Sequence, residues 1–365
     1  MMGLGLYAHF PWCVRKCPYC DFNSHPLHGE LDETNYISRL IEDFKKELDS
    51  TRENINTIYL GGGTPSLFSA NSLARFLQLV DRRNTSEITM EANPGALEHE
   101  SFDAYLEAGI TRISIGVQSF DPQQLDNLGR VHNSDDASNA AENALKAGFD
   151  SVNLDLMFGL PGQSLDDAMI DLEHAISFGT DHLSWYQLTI EPRTEFHRRP
   201  PILASDDLRA DMSNTGRRLL KENGYSQYEV SAFGRDGSRC LHNVNYWRFG
   251  DYFGIGAGAH GKTERHGKII RTVKPRQPRL YLSGASTQIV EVSPDELPVE
   301  FMMNALRLTG GVETSLFSQT TGLSYEVISD VVDRLVSWEL MQPNRIQTTD
   351  RGYAQLDSIV GQFLN

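Results

Sequence analysis

The chain has little of what membrane, secreted and nucleic-acid-binding proteins require. No stretch approaches the roughly 18 consecutive apolar residues of a membrane span. Basic residues are in deficit, with 33 lysines and arginines against 49 aspartates and glutamates, and the net charge of -16 argues against non-specific nucleic-acid binding. The opening MMGLGLYAHF lacks the basic segment of a signal peptide. We therefore expect a cytoplasmic protein with no nucleic acid among its partners.

Cysteine is also scarce, with four in 365 residues. Three of them lie close together in CVRKCPYC: Cys13, Cys17 and Cys20. In a reducing compartment such a group indicates a metal centre rather than disulfides. A closed zinc site needs four ligands, and the remaining Cys240 is far along the chain, although His9 or His25 could complete the set. Three thiolates suit a [4Fe-4S] cluster that leaves one iron open to a small molecule, so the pattern favours a cluster over zinc.

Short apolar segments alternate with longer amphipathic ones over residues 1–234. Strands are predicted at 4–10, 57–62, 87–93, 112–118, 152–159, 182–190 and 228–233, and helices at 32–50, 69–80, 98–108, 121–128, 134–147, 164–178 and 205–223. Short and nearly all-apolar strands are typical of a parallel sheet buried on both faces. The repeat predicts an α/β fold of about six β-loop-α units, open or curled into a partial barrel.

Ligands of such sheets bind at the carboxyl ends of the strands. That rule gathers polar residues from six loops on one edge: the three cysteines, GGGTP at 61–65, Glu91, Asn93, Gln118, Asp155, Gln187 and Thr189. Any one of them could be a helix cap or a structural hydrogen bond. Because all of them are expected at the same edge of the sheet, they together indicate a ligand site.

The pattern changes after residue 234. Residues 235–294 form a Gly- and aromatic-rich connecting region, and the basic stretch RHGKIIRTVKPRQPR (265–279) suits either a solvated hairpin or a surface for an anionic ligand. Residues 295–365 predict helices at 296–308, 314–318, 324–338 and 351–364 and a hairpin at 340–349. This order is winged-helix-like. The helix at 324–338 is acidic, so we expect a packing module rather than a DNA reader.

The cysteine spacing after a first βα strand resembles the radical S-adenosylmethionine (SAM) superfamily. Eight segments together resemble its oxygen-independent coproporphyrinogen oxidase-like family over essentially the whole chain: YAHFPWCVRKCPYCDFNS, YLGGGTPSL, EANPG, RISIGVQSF, LGRVHN, NLDLMFGLPGQ, LSWYQLTIEP and HNVNYWRFGDYFGIGAGAHG. The resemblance implies a partial (β/α)6 radical-SAM barrel with a small winged-helix-like α+β C-terminal domain. It also implies a [4Fe-4S] cluster on the three cysteines whose open iron binds SAM.

The resemblance further implies SAM contacts, residue by residue. Tyr7 is expected to close over the cluster, and Tyr19 to lie against the adenine. The glycine-rich loop is expected against the methionine amino group. The positions carried over are Tyr7, Tyr19, Gly62, Gly63, Thr64, Glu91, Gln118, Arg130 and Asp155.

Two departures separate the chain from the true oxidase. Phe22 stands where the oxidase has a further cysteine, and the oxidase's N-terminal extension has no counterpart before Cys13. The HNxxYW element instead resembles the haem chaperone branch of the family, and it consists of His242, Asn243, Tyr246 and Trp247. A neutral imidazole is a common haem ligand and aromatic rings offer flat apolar faces. Cys240 is an alternative ligand.

The expected function is therefore that of a haem chaperone that carries a SAM-ligated cluster and passes haem to acceptor proteins such as respiratory cytochromes or haem enzymes. An oxygen-independent coproporphyrinogen III oxidase and a radical SAM methyltransferase are the alternatives. SAM cleavage, peripheral membrane contact and a homodimer of the cofactor-loaded protein are left open.

Overall fold

The computed structural model describes residues 3–48, 54–80, 85–95 and 100–364. The strands within these ranges are β1 (Leu4–Phe10), β2 (Trp12–Cys13), β3 (His25–Pro26), β4 (Ile55–Gly62), β5 (Glu87–Ala92), β6 (Arg112–Gln118), β7 (Ser151–Phe158), β8 (His182–Gln187), β9 (Ser226–Gln227), β10 (Ala232–Gly234), β11 (Tyr252–Ile255), β12 (His260–Arg265), β13 (Lys268–Val273), β14 (Gln288–Glu291), β15 (Val312–Glu313) and β16 (Arg345–Ile346). The helices are α1 (Glu33–Leu48), α2 (Ala70–Leu77), α3 (Phe102–Ala108), α4 (Pro122–Asn127), α5 (Ser134–Ala147), α6 (Leu165–Ser177), α7 (Glu195–Arg198), α8 (Asp206–Glu222), α9 (Leu241–Trp247), α10 (Pro278–Leu282), α11 (Leu297–Ala305), α12 (Thr314–Thr321), α13 (Glu326–Ser337), α14 (Asp350–Tyr353) and α15 (Leu356–Val360).

Twelve of these strands form one sheet, in the order β14-β13-β12-β11-β1-β4-β5-β6-β7-β8-β10-β9. The strands from β11 to β8 in that order are parallel. Antiparallel strands flank them, with β12 to β14 on one side and β10 and β9 on the other. The predicted α/β fold with six parallel strands is confirmed, and β11 adds a further parallel strand beside β1.

The two faces of the parallel strands differ in chemistry. In β6 every residue is buried, and Ile113, Ile115 and Val117 belong to the main hydrophobic core. The alternate residues, from Arg112 to Gln118, line an internal cavity. Because side chains of a strand alternate between faces, one face packs under the helices and the other faces a polar interior. The sequence prediction of strands buried on both faces is right, but the inner face is polar rather than apolar.

The predicted strand at 228–233 is wrong in its bounds and in the type of sheet it joins. β9 and β10 instead pair antiparallel with each other, and β10 pairs antiparallel with β8. The physical reason is the short length of the connection between β9 and β10. Only four residues separate β9 from β10, whereas a parallel neighbour requires a crossover of a dozen or more.

The connecting region is more regular than its composition suggests. It supplies α9 and α10 and the strands β11 to β14, so it extends the main sheet on the side of β1. Phe253 and Ile255 belong to the main core, whereas Phe249 and Ile269 belong to the C-terminal one. The predicted boundaries at 234 and 294 stay predictions.

The C-terminal segment packs its helices around a core that includes Phe301, Phe317 and Leu335. The predicted hairpin at 340–349 is present, since an antiparallel Met341–Thr348 bridge is flanked by bonds from the Gln342 N–H to the Gln347 carbonyl (2.8 Å) and from the Thr349 N–H to the Leu340 carbonyl (3.0 Å). Within it, β16 pairs with β15. The predicted helix at 351–364 is divided into α14, α15 and a 3₁₀ turn.

The other predicted helices are present, most of them with shorter ends. The helix at 134–147 has the predicted bounds, and the one predicted at 314–318 extends to Thr321 as α12. Residues 49–50 of the first and 98–99 of the third lie outside the described residues. α3 begins after Ser101, whose hydroxyl accepts a bond from the Ala104 N–H, as expected of an N-cap. Across the ranges the structure describes, no helix combines the length and the apolar character needed to cross a membrane.

Candidate functional site

The cysteines lie on a short loop fixed at both ends. β2 and β3 pair in parallel and so close the loop that carries Cys17 and Cys20. The Leu27 N–H donates to the Cys13 carbonyl (2.8 Å), and the Cys20 N–H to the Cys17 carbonyl (3.1 Å). All three thiols are free and half-buried, and all three line the same cavity. The backbone therefore presents three unpaired thiols to one space.

The donor set fits a three-cysteine [4Fe-4S] cluster better than zinc. Among the described residues, no group of three or more His, Cys, Asp or Glu side chains is arranged around a single ion. Zinc requires such convergence, whereas a cubane takes each thiolate on a different iron. The candidate fourth ligands are engaged elsewhere: His9 Nε2 bonds the Asn23 carbonyl (2.9 Å) and His25 Nε2 bonds the Arg276 carbonyl (3.3 Å).

The glycine-rich loop after β4 packs directly against the cysteine segment. Gly62 has φ +113°, and a Cβ there would lie 2.3 Å from the His9 ring. A Cβ on Gly63 would lie 2.5 Å from the Trp12 carbonyl oxygen, and the Thr64 N–H donates to that oxygen (2.7 Å). Only glycine tolerates both the backbone angle and this close approach. Close packing against the cysteine segment therefore explains the glycines of GGGTP.

Glu91 connects this loop to the sheet. Its carboxylate accepts hydrogen bonds from the Tyr59 hydroxyl (2.9 Å) and the Gly62 N–H (2.9 Å). Burial raises the pKa of Glu91 from 4.5 to about 7, although the two bonds oppose the shift. A carboxyl group balanced between its two charge states at neutral pH favours a cationic ligand, because a cation stabilises the ionised form.

Arg130 lies between the cysteine loop and the sheet. Its Nη1 donates to Cys17 Sγ (3.6 Å), and its Nη2 donates to Asn93 Oδ1 (2.6 Å) and the Gly116 carbonyl (2.7 Å). Its buried Nε has no hydrogen-bond partner among the described residues. A guanidinium with a spare donor beside the cysteines suits a carboxylate ligand.

The other predicted SAM residues differ in position. Gln118 and Asp155 line the cavity, where Gln118 accepts a bond from Tyr186 (2.6 Å) and burial raises the pKa of Asp155. Tyr19 also lines it. Tyr7 does not: its hydroxyl bonds His9 Nδ1 (2.9 Å) behind the glycine loop. Of the predicted edge, Gln187 and Thr189 also lie outside the cavity wall.

The HNxxYW residues divide between two faces of α9. Asn243 and Trp247 line the cavity, whereas His242 and Tyr246 do not. His242 is fully buried, its Nδ1 bonds Thr57 Oγ1 (2.9 Å), and its Nε2 bonds the Tyr246 hydroxyl (2.9 Å). Burial lowers the pKa of His242 to about 3, so the ring is neutral. Residues four apart lie on the same face of a helix, which explains why Asn243 pairs with Trp247 and His242 with Tyr246.

The basic stretch 265–279 supplies the turn and the second strand of the β12–β13 hairpin, in agreement with the hairpin interpretation, and then enters α10. Several of its cations are paired: Arg265 with Glu47 (3.2 Å), Arg271 with Glu300 (2.5 Å) and Lys274 with Asp43 (2.5 Å) and Glu47 (2.8 Å). Their charge is therefore compensated within the chain.

The cavity has a volume of about 560 Å³ and extends along the inner face of the strands. Its lining includes Cys13, Cys17, Tyr19, Cys20, Tyr59, Gly62, Gly63, Thr64, Glu91, Asn93, Arg112, Ser114, Gly116, Gln118, Arg130, Asn153, Asp155, His182, Ser184, Tyr186, Glu229, Asn243, Trp247 and Arg307. The sequence analysis missed several residues of its inner part, namely Arg112, Ser114, Asn153 and His182. Counting back in steps of two from Gln118 and Asp155 would have found Ser114, Arg112 and Asn153.

Comparison with known proteins places the fold and the site in one class. The sequence model of the Radical SAM superfamily matches residues 7–175, and that of the HemN C-terminal domain matches residues 292–354. The coproporphyrinogen III oxidase HemN of Escherichia coli superposes with a TM-score of 0.82 over 100% of this chain and 90% of its own, at 20% identity. The fold and the three-cysteine cavity therefore define a radical SAM protein with a HemN-type C-terminal domain.

Sequence relatives narrow the assignment. The heme chaperone HemW of Escherichia coli (strain K12) is 46% identical over 99% of this chain and 98% of its own length. The heme chaperone HemW of Bacillus subtilis (strain 168) is 33% identical over 98% of both chains. The chain belongs to the HemW family.

Proposed function

We propose that the protein is a haem chaperone, which binds haem as cargo and passes it to acceptor proteins. The relatives with 33–46% identity over nearly the whole chain bear the name heme chaperone. The observation that carries the proposal here is that Asn243 and Trp247, from the HNxxYW element, line the same cavity as the three cysteines. The cysteine motif of the superfamily and the HNxxYW element thus share one cavity.

The cysteine end of the cavity would hold a [4Fe-4S] cluster and SAM, and this pair supplies one-electron reduction at a sulfonium ion. Cys13, Cys17 and Cys20 would ligate three irons. Glu91 would attract the cationic part of SAM, and the spare Nε donor of Arg130 would meet its carboxylate. The bond from Arg130 to Cys17 would stabilise negative charge on that sulfur.

Haem would contact the Asn243–Trp247 face of α9. One face of the Trp247 ring is covered by the Arg307 guanidinium (4.3 Å), which leaves its other face for a ligand, and its buried Nε1 has no acceptor among the described residues. His242 would become an axial ligand only by exchanging its bond to Tyr246 for the iron, since both of its ring nitrogens are already bonded. The acceptor class, respiratory cytochromes or haem enzymes, remains a prediction.

Anaerobic titration of the cluster-reconstituted protein with haem tests this function. We expect a Soret band distinct from that of free haem, saturating at about one haem per chain, and transfer of that haem to an apocytochrome. Trp247→Ala should weaken binding, whereas Trp338→Ala, an exposed residue of the C-terminal segment, should not. A spectrum identical to that of free haem at every ratio would reject the proposal. Conversion of coproporphyrinogen III to protoporphyrinogen IX would favour the oxidase instead.

A further inference from the structure

One arginine in the cavity has hydrogen-bond donors that no neighbour uses. Arg112 is 3% exposed and lines the cavity, yet its guanidinium group makes no hydrogen bond or ion pair with any described residue. Its Nε is one of the buried polar atoms without a partner. Guanidinium has five N–H donors, and burying such a group without partners is costly. A protein retains this arrangement most readily where a ligand supplies the acceptors.

The polar residues around Arg112 are satisfied by one another. His182 Nδ1 bonds Asn153 Oδ1 (2.6 Å), and its Nε2 bonds the Tyr228 hydroxyl (2.9 Å). The Asn153 amide donates to Ser114 Oγ (2.7 Å) and to Asp155 Oδ1 (2.9 Å). The Arg112 guanidinium takes no part in this network.

Nearby acidic groups limit the charge of any ligand. The charges of Glu87 and Arg112 attract each other without a hydrogen bond. The oxygens of Glu87 instead accept hydrogen bonds from the N–H groups of Leu241 (2.9 Å) and His242 (3.0 Å). Cys240, Tyr59 and Tyr228 also face the arginine, and Glu91 and Asp155 feel its charge. A group with one negative charge is compatible with this field, whereas a doubly charged phosphate would meet repulsion from the carboxylates. The two oxygens of a carboxylate can also accept two parallel N–H bonds from a guanidinium group.

Arg112 lies at the opposite end of its strand from Gln118, one of the residues expected to hold SAM. Arg112 is the first residue of β6 and Gln118 the last, so they lie about 20 Å apart along the strand. The cavity is also lined by Asn243 and Trp247 of α9 and by Arg307, which is paired with Glu229 (3.0 Å). Glu87, which interacts with Arg112, accepts the first N–H groups of α9. The site thus lies beside the face of α9 that the haem proposal uses.

We propose that Arg112 anchors a carboxylate-binding site at the amino end of the cavity, for a ligand other than the cluster-bound SAM. Two sources offer this chemistry: a propionate of haem, which rests on the proposed function, and the carboxylate of an amino-acid-like molecule. In either case the carboxylate accepts two N–H bonds from the Arg112 guanidinium, and the rest of the ligand extends toward the cysteines.

Metal-free probes test the site without iron coordination. Binding of protoporphyrin IX and of its dimethyl ester is followed by porphyrin fluorescence, and binding of S-adenosylhomocysteine and of methylthioadenosine, which lacks the carboxylate, by calorimetry. The variants are Arg112→Met and Arg112→Lys, with Arg351→Met, at an exposed arginine outside the cavity, as the control. Circular dichroism checks folding, and Arg112→Lys keeps the charge that balances Glu87 if Arg112→Met does not fold.

The wild-type protein should bind protoporphyrin IX at least about tenfold more tightly than its ester, and Arg112→Met should remove that preference. Arg112→Lys should retain part of this preference, and Arg351→Met all of it. Loss of the S-adenosylhomocysteine preference in Arg112→Met would instead identify the amino-acid source. Unchanged preferences in both Arg112 variants overturn the site. If wild-type protein binds no porphyrin, the haem proposal fails, and the adenosyl pair alone decides the carboxylate site.

Discussion

Arg130 donates a hydrogen bond to the sulfur of Cys17 over 3.6 Å, although 113 positions separate the two residues in the chain. The same guanidinium also bonds Asn93, which in turn donates to Thr64 of the glycine loop (2.8 Å). One chain of contacts therefore joins the cysteine loop, β5 and the glycine loop. The candidate site is a single connected unit rather than a set of independent loops.

Single Cys→Ser variants test the cluster ligands. Cys13→Ser, Cys17→Ser or Cys20→Ser removes a soft thiolate ligand, so anaerobic reconstitution should give much less than four irons per chain. Cys240→Ser is the matched control, because that thiol is buried beside Glu87 (3.6 Å) and does not line the cavity. It should retain the full iron content. A normal iron and sulfide content in Cys17→Ser would contradict the assignment.

Glu91 should make SAM binding depend on pH. Burial raises its pKa to about 7, and a cationic ligand favours the ionised form. The affinity for SAM should therefore rise as the pH increases from 6 to 8 in the wild-type protein. Glu91→Gln should bind SAM more weakly and with a flat pH profile. Equal pH slopes in the two proteins, measured by calorimetry, would exclude Glu91 as the titrating group.

The same residue should affect stability in the opposite direction. The pKa of Glu91 in the folded protein exceeds its ordinary value of 4.5, so the folded state binds the proton more tightly than the unfolded chain. The free energy of unfolding should fall as the pH rises from about 4.5 to about 7, by on the order of 2 kcal/mol, a figure reduced because solvent in the cavity screens the charge. Glu91→Gln lacks this loss and should be the more stable protein at pH 8. Urea denaturation at pH 5 and pH 8 measures the difference.

Gly62→Ala should disrupt the glycine loop. The backbone angle of φ +113° is strained for alanine, and the added Cβ would collide with the His9 ring. We expect a loss of at least about 2 kcal/mol in the free energy of unfolding together with loss of SAM binding. Gly148→Ala is the control, since that glycine also has positive φ but open space around it. It should cost about 1 kcal/mol and leave SAM binding intact, and equal effects of the two variants would refute the steric argument.

Tyr246→Phe tests whether His242 can ligate haem. The substitution removes the hydroxyl that occupies His242 Nε2 and keeps the ring. If His242 exchanges that bond for iron, haem should bind faster in Tyr246→Phe and with an unchanged Soret maximum. His242→Ala should shift that maximum, because the axial ligand changes. An identical haem spectrum in all three proteins would show that His242 is a structural residue, satisfied by Thr57 and Tyr246.

Much of the architecture could be predicted because it depends on local pattern. The parallel strands follow from short apolar segments separated by helical ones, and the cysteine loop and glycine loop fall at strand ends, where ligands bind. The antiparallel β9 and β10 and the return of β11 to pair with β1 could not be predicted, since both depend on tertiary pairing.

The candidate site was predictable only at the end near the cysteines. Gln118 and Asp155 are strand positions that the family resemblance marks, but Arg112 lies in a strand that appears apolar until its alternate residues are assigned to one face. Likewise, the HNxxYW pattern does not reveal that Asn243 and Trp247 face the cavity while His242 and Tyr246 bond each other. Helix orientation, set by tertiary packing, decides that division.

The central claim is that three cysteines hold a cluster with one iron open to SAM, and electron paramagnetic resonance of the reduced, reconstituted protein tests it most directly. With about four irons per chain, the spectrum should change when SAM is added, because SAM coordinates the open iron. An identical spectrum at saturating SAM, in a sample with the full iron content, would contradict the account.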